Sequence, residues 1–584
     1  MKKILALVLA CLMLVSVVAC GSKDDGALNI CLGSEPDTLD PALNSAVDGA
    51  TMLAHLFSGL AKWSQDDDGN LVIVPDCAVA LPEGVTNEDG TVTYTYTLKD
   101  GLKWSNGDAV TAGDFVFSWN RAASAELGAD YGYMFDVVVG YADVAAGTAG
   151  AKLAVEATDD KTLVVTISNW LPYWHELTAF PTYFPVHEET VANSAWATEA
   201  ETYVCNGAYT MASWKHDSVI KLEKNPNYHD AALVTMEKIN CNLSDDDNNQ
   251  LANFKNGDWD FIDSVPVSAI ETLKVEHPTE FRILDQIGTY YVCFNINANI
   301  LPAGSTLTGV EAEQAKAELR KAIGLLFDRN NIVKNVSQAG ETPASSFVPA
   351  GMVNPDNSQF YLSANGGEAA NGYVGYYNID TVAENIAAAK ATFEKYGTLP
   401  EMLYLYNNND GHKAIAEYIQ GAMANAGLNI TLENQEWNTF LNTRKNGDYT
   451  IARNGWVADY TDPISFLDMW LTESGNNDVQ FGKGAHAELA MYDLDLTALG
   501  YDIKVEDGTW AQTYDVLIAK IKAETNPETR YAMMHIAEDM LMDTGCIVPI
   551  YYYTDPCMIS DSVEGFFANP LGYKYFMYTT FKAE

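Results

Sequence analysis

A guanidinium, an indole and a carboxylate stand close together at Arg453, Trp456 and Asp459, inside the run NQEWNTFLNTRKNGDYTIARNGWVADYTDPISF at residues 434–466. An ionised carboxylate receives an ammonium through short charge-assisted bonds, and a guanidinium receives a carboxylate in the same way. An indole supplies flat apolar area with one donor. Together they suit a ligand with two charged ends and an apolar body. A surface ion pair beside a core tryptophan uses the same residues, and the pattern leaves both readings open.

The elements around the trio decide where it points. Trp437, Phe440 and Leu441 make the apolar stripe of a helix with Arg444 and Lys445 near its end. Asn446-Gly447-Asp448 is turn chemistry, because Asn and Gly take positive φ readily. Residues 449–456 then alternate like a strand, and Asp462-Pro463 ends it. The strand end therefore carries the trio. Upstream, residues 402–437 read as strand, loop, helix, strand, a unit that pairs its strands in parallel. The loop from Asn407 to His412 falls at the carboxyl end of the first of these strands, where open α/β sheets place ligands. His412 reads equally as an exposed histidine at a helix start.

Catalytic signatures are missing from the sequence. There is no GxSxG elbow and no HExxH pair, and neither GxxxxGK[ST] nor GxGxxG occurs. The acidic stretch at 245–263 lacks the Gly and Glu positions of an EF-hand and reads as a helix then a strand. Neither a metal nor a cofactor is expected, and the chain is expected not to be an enzyme. Paired carboxylates of the glycosidase kind arise by chance among 79 acidic residues, so they decide nothing.

The 584 residues exceed one core and imply two or three domains. Lys2 and Lys3, the apolar run 4–18 and Val17-Val18-Ala19-Cys20 form a lipoprotein leader, with Cys20 as the lipidated residue. Residues 21–27 read as a polar tether. The 34 basic and 79 acidic residues give −45, and the leader removes two lysines to leave −47. A polyanion such as nucleic acid is thereby excluded as a partner, and a bias toward cationic ligands is open. Beyond Cys11 and Cys20 there are seven scattered cysteines, an odd number without a CxxC. They imply neither a zinc site nor a disulfide framework.

Four separated blocks resemble the family 5 solute-binding proteins of ABC importers, oligopeptide binders in particular. These are 434–466, YTYTLKDGLKWSNGDAVTAGDFVFSWNRA at 94–122, NGAYTMASW with KLEKNPNYHD at 206–230, and AELRKAIGLLFDRNNIVKNV at 317–336. GSEPDTLDP at 33–41 and Tyr551–Tyr553 match further elements of the same family. The resemblance implies an α/β, bilobal periplasmic-binding-protein-like fold with a ligand cleft between lobes and an extra inserted domain. Its expected divisions are a signal at 1–19, a lipid-anchored tether at 20–27, lobe I at 28–57 with 186–289 and 554–584, a small domain at 58–185, and lobe II at 290–553. Residues 483–515 read as a surface insertion.

By the same resemblance the ligand is an extended oligopeptide delivered to permease subunits, and the protein is a monomer held by lipid on the extracytoplasmic face of the membrane. Asp459 would hold the peptide amine, and Tyr131 would lie near that end. Ser45, Ala46 and Val47 would offer main-chain groups from a strand. Trp437, Trp456 and Tyr131 would be walls. Arg453, Arg444 and His412 would face the opposite end or support Asp459, with Asn407 and Val457 in the same set. Two departures bear on peptide length: Gly324 replaces a lysine, and Val457 a cysteine, of the oligopeptide member. Dipeptides, nickel complexes or oligosaccharides are the alternatives within the family, and a secreted hydrolase is the alternative outside it.

Overall fold

The computed structural model describes residues 26–66, 69–484, 492–506 and 508–583. The leader, Cys20 and all but the last two residues of the expected tether lie outside the described residues. The frame is a mixed eleven-stranded sheet. Its strands in chain order are β1 (Leu28–Cys31), β2 (Tyr209–Lys215), β3 (Val219–Lys224), β4 (Lys238–Asn242), β5 (Phe261–Ile262), β6 (Phe281–Phe294), β7 (Met402–Asn407), β8 (Ile430–Gln435), β9 (Ile451–Val457) and β10 (Ile547–Ile559). Their spatial order is β8-β7-β9-β6-β10-β5-β1-β4-β3-β2, and Thr342–Pro343 pairs with β10 off this path. The expected parallel unit is present: β7 pairs in parallel with both β8 and β9.

Two long strands join the halves of this sheet. β6 and β10 pair at Phe281–Asp285 and again at Thr289–Cys293, with the register broken between. The second half of β6, GTYYVCF, is buried on both faces, so it runs continuously apolar and aromatic instead of alternating. Pro549 sits opposite Tyr291, beside a second register shift, where a missing N–H is tolerated. Tyr551, Tyr552 and Tyr553 lie inside β10, at this crossing.

Two expectations are corrected. Ser45, Ala46 and Val47 are not a strand: Val47 opens helix α1 (Val47–Leu56). The Ala46 carbonyl accepts Ala50 N–H at 3.0 Å and Asn44 Nδ2 at 3.0 Å, so it is committed to the helix start. Helix α1 stops at Leu56, and 61–65 is a strand. Residues 483–515 are not wholly a surface insertion. Those at 485–491 and 507 lie outside the described residues, but Trp510 and Tyr514 are buried, 1% and 0% exposed. They belong to a helix that Thr509 and Gln512 cap reciprocally, and Trp510 stacks on Phe481 at 4.1 Å.

A separate four-stranded antiparallel sheet uses Val85–Thr86, Val92–Thr97, Thr162–Ile167 and Val155–Asp159. Helix α2 (Ala112–Ala122) packs beside it. Asp114 accepts both the N–H and the hydroxyl of Thr111, at 2.7 and 3.0 Å, which starts the helix. Phe115 and Trp119, four apart, are fully buried. Phe117 stays half-buried, because residues two apart do not share a helix face.

Candidate functional site

β9 pairs with β6 along its whole length, but with β7 only at Ile451 and Ala452. Residues 453–457 therefore leave one main-chain edge unpaired, and a cavity of about 350 Å³ lies against it. Such a volume is at the small end of the ~300–1,000 Å³ usual for ligand sites. The structure brings all twelve expected residues to this one cavity. Asp459, Trp456, Val457 and Arg453 come from β9 and the residues after it; Arg444 and Trp437 from helix Trp437–Lys445; Asn407 and His412 from the end of β7 and the helix that follows. Tyr131, Ser45, Ala46 and Val47 complete the wall from the other half.

Asp459 is 6% exposed. Tyr131 donates its hydroxyl to Oδ1 at 3.1 Å, and Asp459 N–H donates to Ser465 Oγ at 2.9 Å. Oδ2 is buried without a partner. Burial, then the charge of Asp468 nearby, pushes this carboxyl well above its ordinary range. Trp456 is held by its Nε1, which donates to the Ser465 carbonyl at 2.8 Å, and its ring meets Tyr131 at 6.1 Å. Asp459 is thus a desolvated carboxyl group, bonded by the Tyr131 hydroxyl and paired with no lysine or arginine of the described residues.

At the other end the two arginines part company. Arg444 pairs with Asp478, Nε to Oδ2 at 2.7 Å, and Asn454 Nδ2 also donates to that oxygen at 3.0 Å. Burial lowers its pKa, and Asp478 more than restores it. Arg444 is therefore engaged with a framework carboxylate instead of supporting Asp459. Arg453 has no such partner among the described residues. Its Nε donates to Asn407 Oδ1 at 2.7 Å, and its guanidinium lies over Trp437 at 5.4 Å and Phe440 at 5.1 Å. Burial holds its pKa below the ordinary value. His412 rests against Tyr290 at 5.6 Å; burial and then the charge of Arg453 keep it neutral, so it brings hydrogen bonds and no charge.

Several lining groups, and contacts between the halves outside the lining, were not legible beforehand. Lys445 bonds Ser45 Oγ at 2.8 Å and pairs with Asp130. Asn408 Nδ2 donates to Asp245 at 2.7 Å, and Asn409 Nδ2 to Asp247 at 3.2 Å. Thr461 N–H donates to Glu176 at 2.6 Å, while Tyr173 and Tyr460 stack at 4.6 Å. Each contact joins residues more than a hundred positions apart, which no local pattern expresses. Tyr553 is packed against Gly455, where an added Cβ would lie 2.1 Å from its hydroxyl. Elsewhere, Asp76, His229 and Asp230 converge as metal ligands do. Lys62 already fills that place, 3.1 Å from each of the two carboxylates.

A mixed α/β molecule whose two halves enclose an aromatic cavity around an uncompensated carboxylate is a two-lobed binding protein. The chain belongs to the bacterial extracellular solute-binding proteins, family 5, whose model matches residues 73–478. It is 31% identical to the oligopeptide-binding protein OppA of Bacillus subtilis, over 96% of this chain and 94% of that one. Haemophilus influenzae OppA in complex with the peptide RPPGFSPFR superposes with a TM-score of 0.79 at 27% identity, covering 96% of this chain and 99% of that one. The Escherichia coli murein tripeptide-binding protein MppA gives 0.78 at 25% identity, covering 95% and 98%. Against the unliganded open form of MppA the score is 0.58, so the halves here are not arranged as in that form. No helix of the described residues is long and apolar enough to cross a membrane.

Proposed function

We propose that this chain captures extended peptides outside the cell and hands them to the permease of an ABC importer, as a monomer anchored through lipid on Cys20. The unpaired edge of β9, bounded by Asp459 and Arg453, carries the reading. A peptide laid along that edge gains main-chain bonds whatever its sequence. Its ammonium meets Asp459 and its carboxylate meets Arg453. The unpaired edge from Arg453 to Val457 rises roughly 13 Å at ~3.3 Å per residue, enough for main-chain bonds to about four peptide residues. Gly455 makes room for the Tyr553 hydroxyl beside this edge. Lobe I is 28–57 with 186–289 and 554–584, the small domain is 58–185, and lobe II is 290–553. The register break between Asp285 and Thr289 in β6 is the hinge. Contacts such as Lys445–Ser45 and Asn409–Asp247 then hold the closed form, and peptide adds the differential affinity that closure requires.

The test is Asp459→Asn, assayed by calorimetry with a free-amine tetrapeptide and its N-acetylated twin. Stranding one member of a buried charge pair costs ~3–5 kcal/mol, so the free-amine peptide weakens by roughly two to three decades at ~1.4 kcal/mol per decade. The acetylated peptide binds the wild type poorly and loses little more. Equal losses for both peptides remove Asp459 from the amine site.

A further inference from the structure

The wall facing β9 offers acceptors and, among the described residues, no lysine or arginine of its own; Lys445 reaches it from the β9 side only at Ser45 and Asp130. Asp48 lies in the first turn of α1, and Asp247 opens the helix Asp247–Asn256, which also carries Gln250. All three line the cavity, as does Asp245. Gln250 is 1% exposed; its Nε2 donates to the Ser244 carbonyl at 2.9 Å, and its Oε1 has no partner. Asp48 Oδ1 is also buried and unpartnered. Asp245 and Asp247 take only amide donors from Asn408 and Asn409 among the side chains facing them from β7 and its loop. No lysine or arginine of the described residues is paired with Asp48, Asp245 or Asp247. Acidic residues in a first helical turn are ordinary complements to the helix dipole. That accounts for Asp48 and Asp247 but not for a buried amide oxygen with nothing to accept. Burial raises both carboxyls, each to about 6, as expected where compensating charge is lacking.

Resting on the peptide reading above, we propose that Asp48, Asp247 and Gln250 form a subsite for a lysine or arginine side chain, making this a binder selective for cationic peptides. An ammonium or guanidinium supplies several donors and the missing positive charge, whereas an apolar or acidic side chain leaves these acceptors stranded. The experiment uses tetra-alanine peptides carrying a single lysine, norleucine or glutamate at each position in turn. Norleucine keeps the aliphatic chain and drops the ammonium. One position is expected to bind lysine at least tenfold tighter than norleucine and to reject glutamate. That ratio persists in about 1 M salt, where a Debye length of ~3 Å suppresses long-range attraction by the net charge. In Asp48→Asn and Asp247→Asn the ratio falls toward one; an effect of Asp247→Asn on closure weakens both peptides alike and cancels. Gln250→Leu lowers the ratio less, having removed no charge. Lysine and norleucine binding within twofold at every position, or a ratio untouched by the variants, overturns the subsite and leaves the peptide reading standing. If no peptide of the set binds, both readings fall.

Discussion

At the scale of single residues, charge compensation separates the roles that residue type leaves merged. Arg444 and Arg453 look alike in sequence, nine positions apart, yet one is paired with Asp478 and the other is not. Arg444→Met strands Asp478 and is expected to destabilise the fold by ~3–5 kcal/mol, read by denaturant titration. Arg453→Met leaves no carboxylate behind. It should spare stability while weakening peptides with a free carboxylate by about one to two decades, from ~1.5–3 kcal/mol for a bond to a charged group; C-amidated peptides serve as the control. Asp459 also predicts a proton balance. Its raised pKa in the empty cavity means the folded chain holds a proton above the ordinary ~3.9. The stability from this group is present below that unfolded value and lost as pH rises through the raised one. Peptide ammonium reverses the preference, so binding releases a proton and free-amine affinity falls as pH drops through the same window. Calorimetry in two buffers of different protonation heat should show the release in the wild type and not in Asp459→Asn. Asp468, which pairs with Lys522 at 3.0 Å, and Tyr131, Tyr133 and Tyr573 are the other titratable groups around it.

At the scale of elements, local alternation and turn chemistry made β9, its preceding helix and the β7–β8 unit legible, because each is specified within a few residues. Ser45–Val47 was misread because family likeness suggested a strand, while the committed Ala46 carbonyl starts a helix. The contacts of Lys445 were beyond reading: Ser45 lies 400 positions away and Asp130 lies 315 away. The free edge of β9 was equally hidden, since it depends on where β7 departs. It gives a sharp prediction. A Cβ on Gly455 lies 2.1 Å from the Tyr553 hydroxyl, so Gly455→Ala must displace that ring, which lines the cavity. Overpacking of this kind costs about 1–3 kcal/mol, and peptide affinity is expected to fall at least tenfold in the same variant. Unchanged affinity would mean that the peptide does not approach this edge.

At the scale of the whole molecule, facing surfaces meet without room to spare. An added Cβ on Gly475 would lie 2.3 Å from the Asp130 Cα, a backbone atom that cannot swing aside. Gly475→Ala should therefore keep the lobes apart, with a larger radius of gyration by X-ray scattering that peptide does not reduce. Compaction equal to the wild type would remove this contact from the closing surface. The anchor is tested separately: Cys20→Ala is expected to release the protein to the medium or leave it unprocessed, and normal cleavage with full membrane retention would refute it. The two-lobed fold was readable, through likeness spread along the chain; the lipobox is a contiguous motif that lies outside the described residues.

The central claim is that the cavity holds a peptide by its free amino end. Native mass spectrometry of the protein, incubated with an equimolar library of short peptides and their N-acetylated counterparts alongside a glycan set, addresses it most directly. Retained species should be intact free-amine peptides, one per protein. Equal retention of acetylated peptides, preferential retention of glycans, or fragments produced from the library would contradict it.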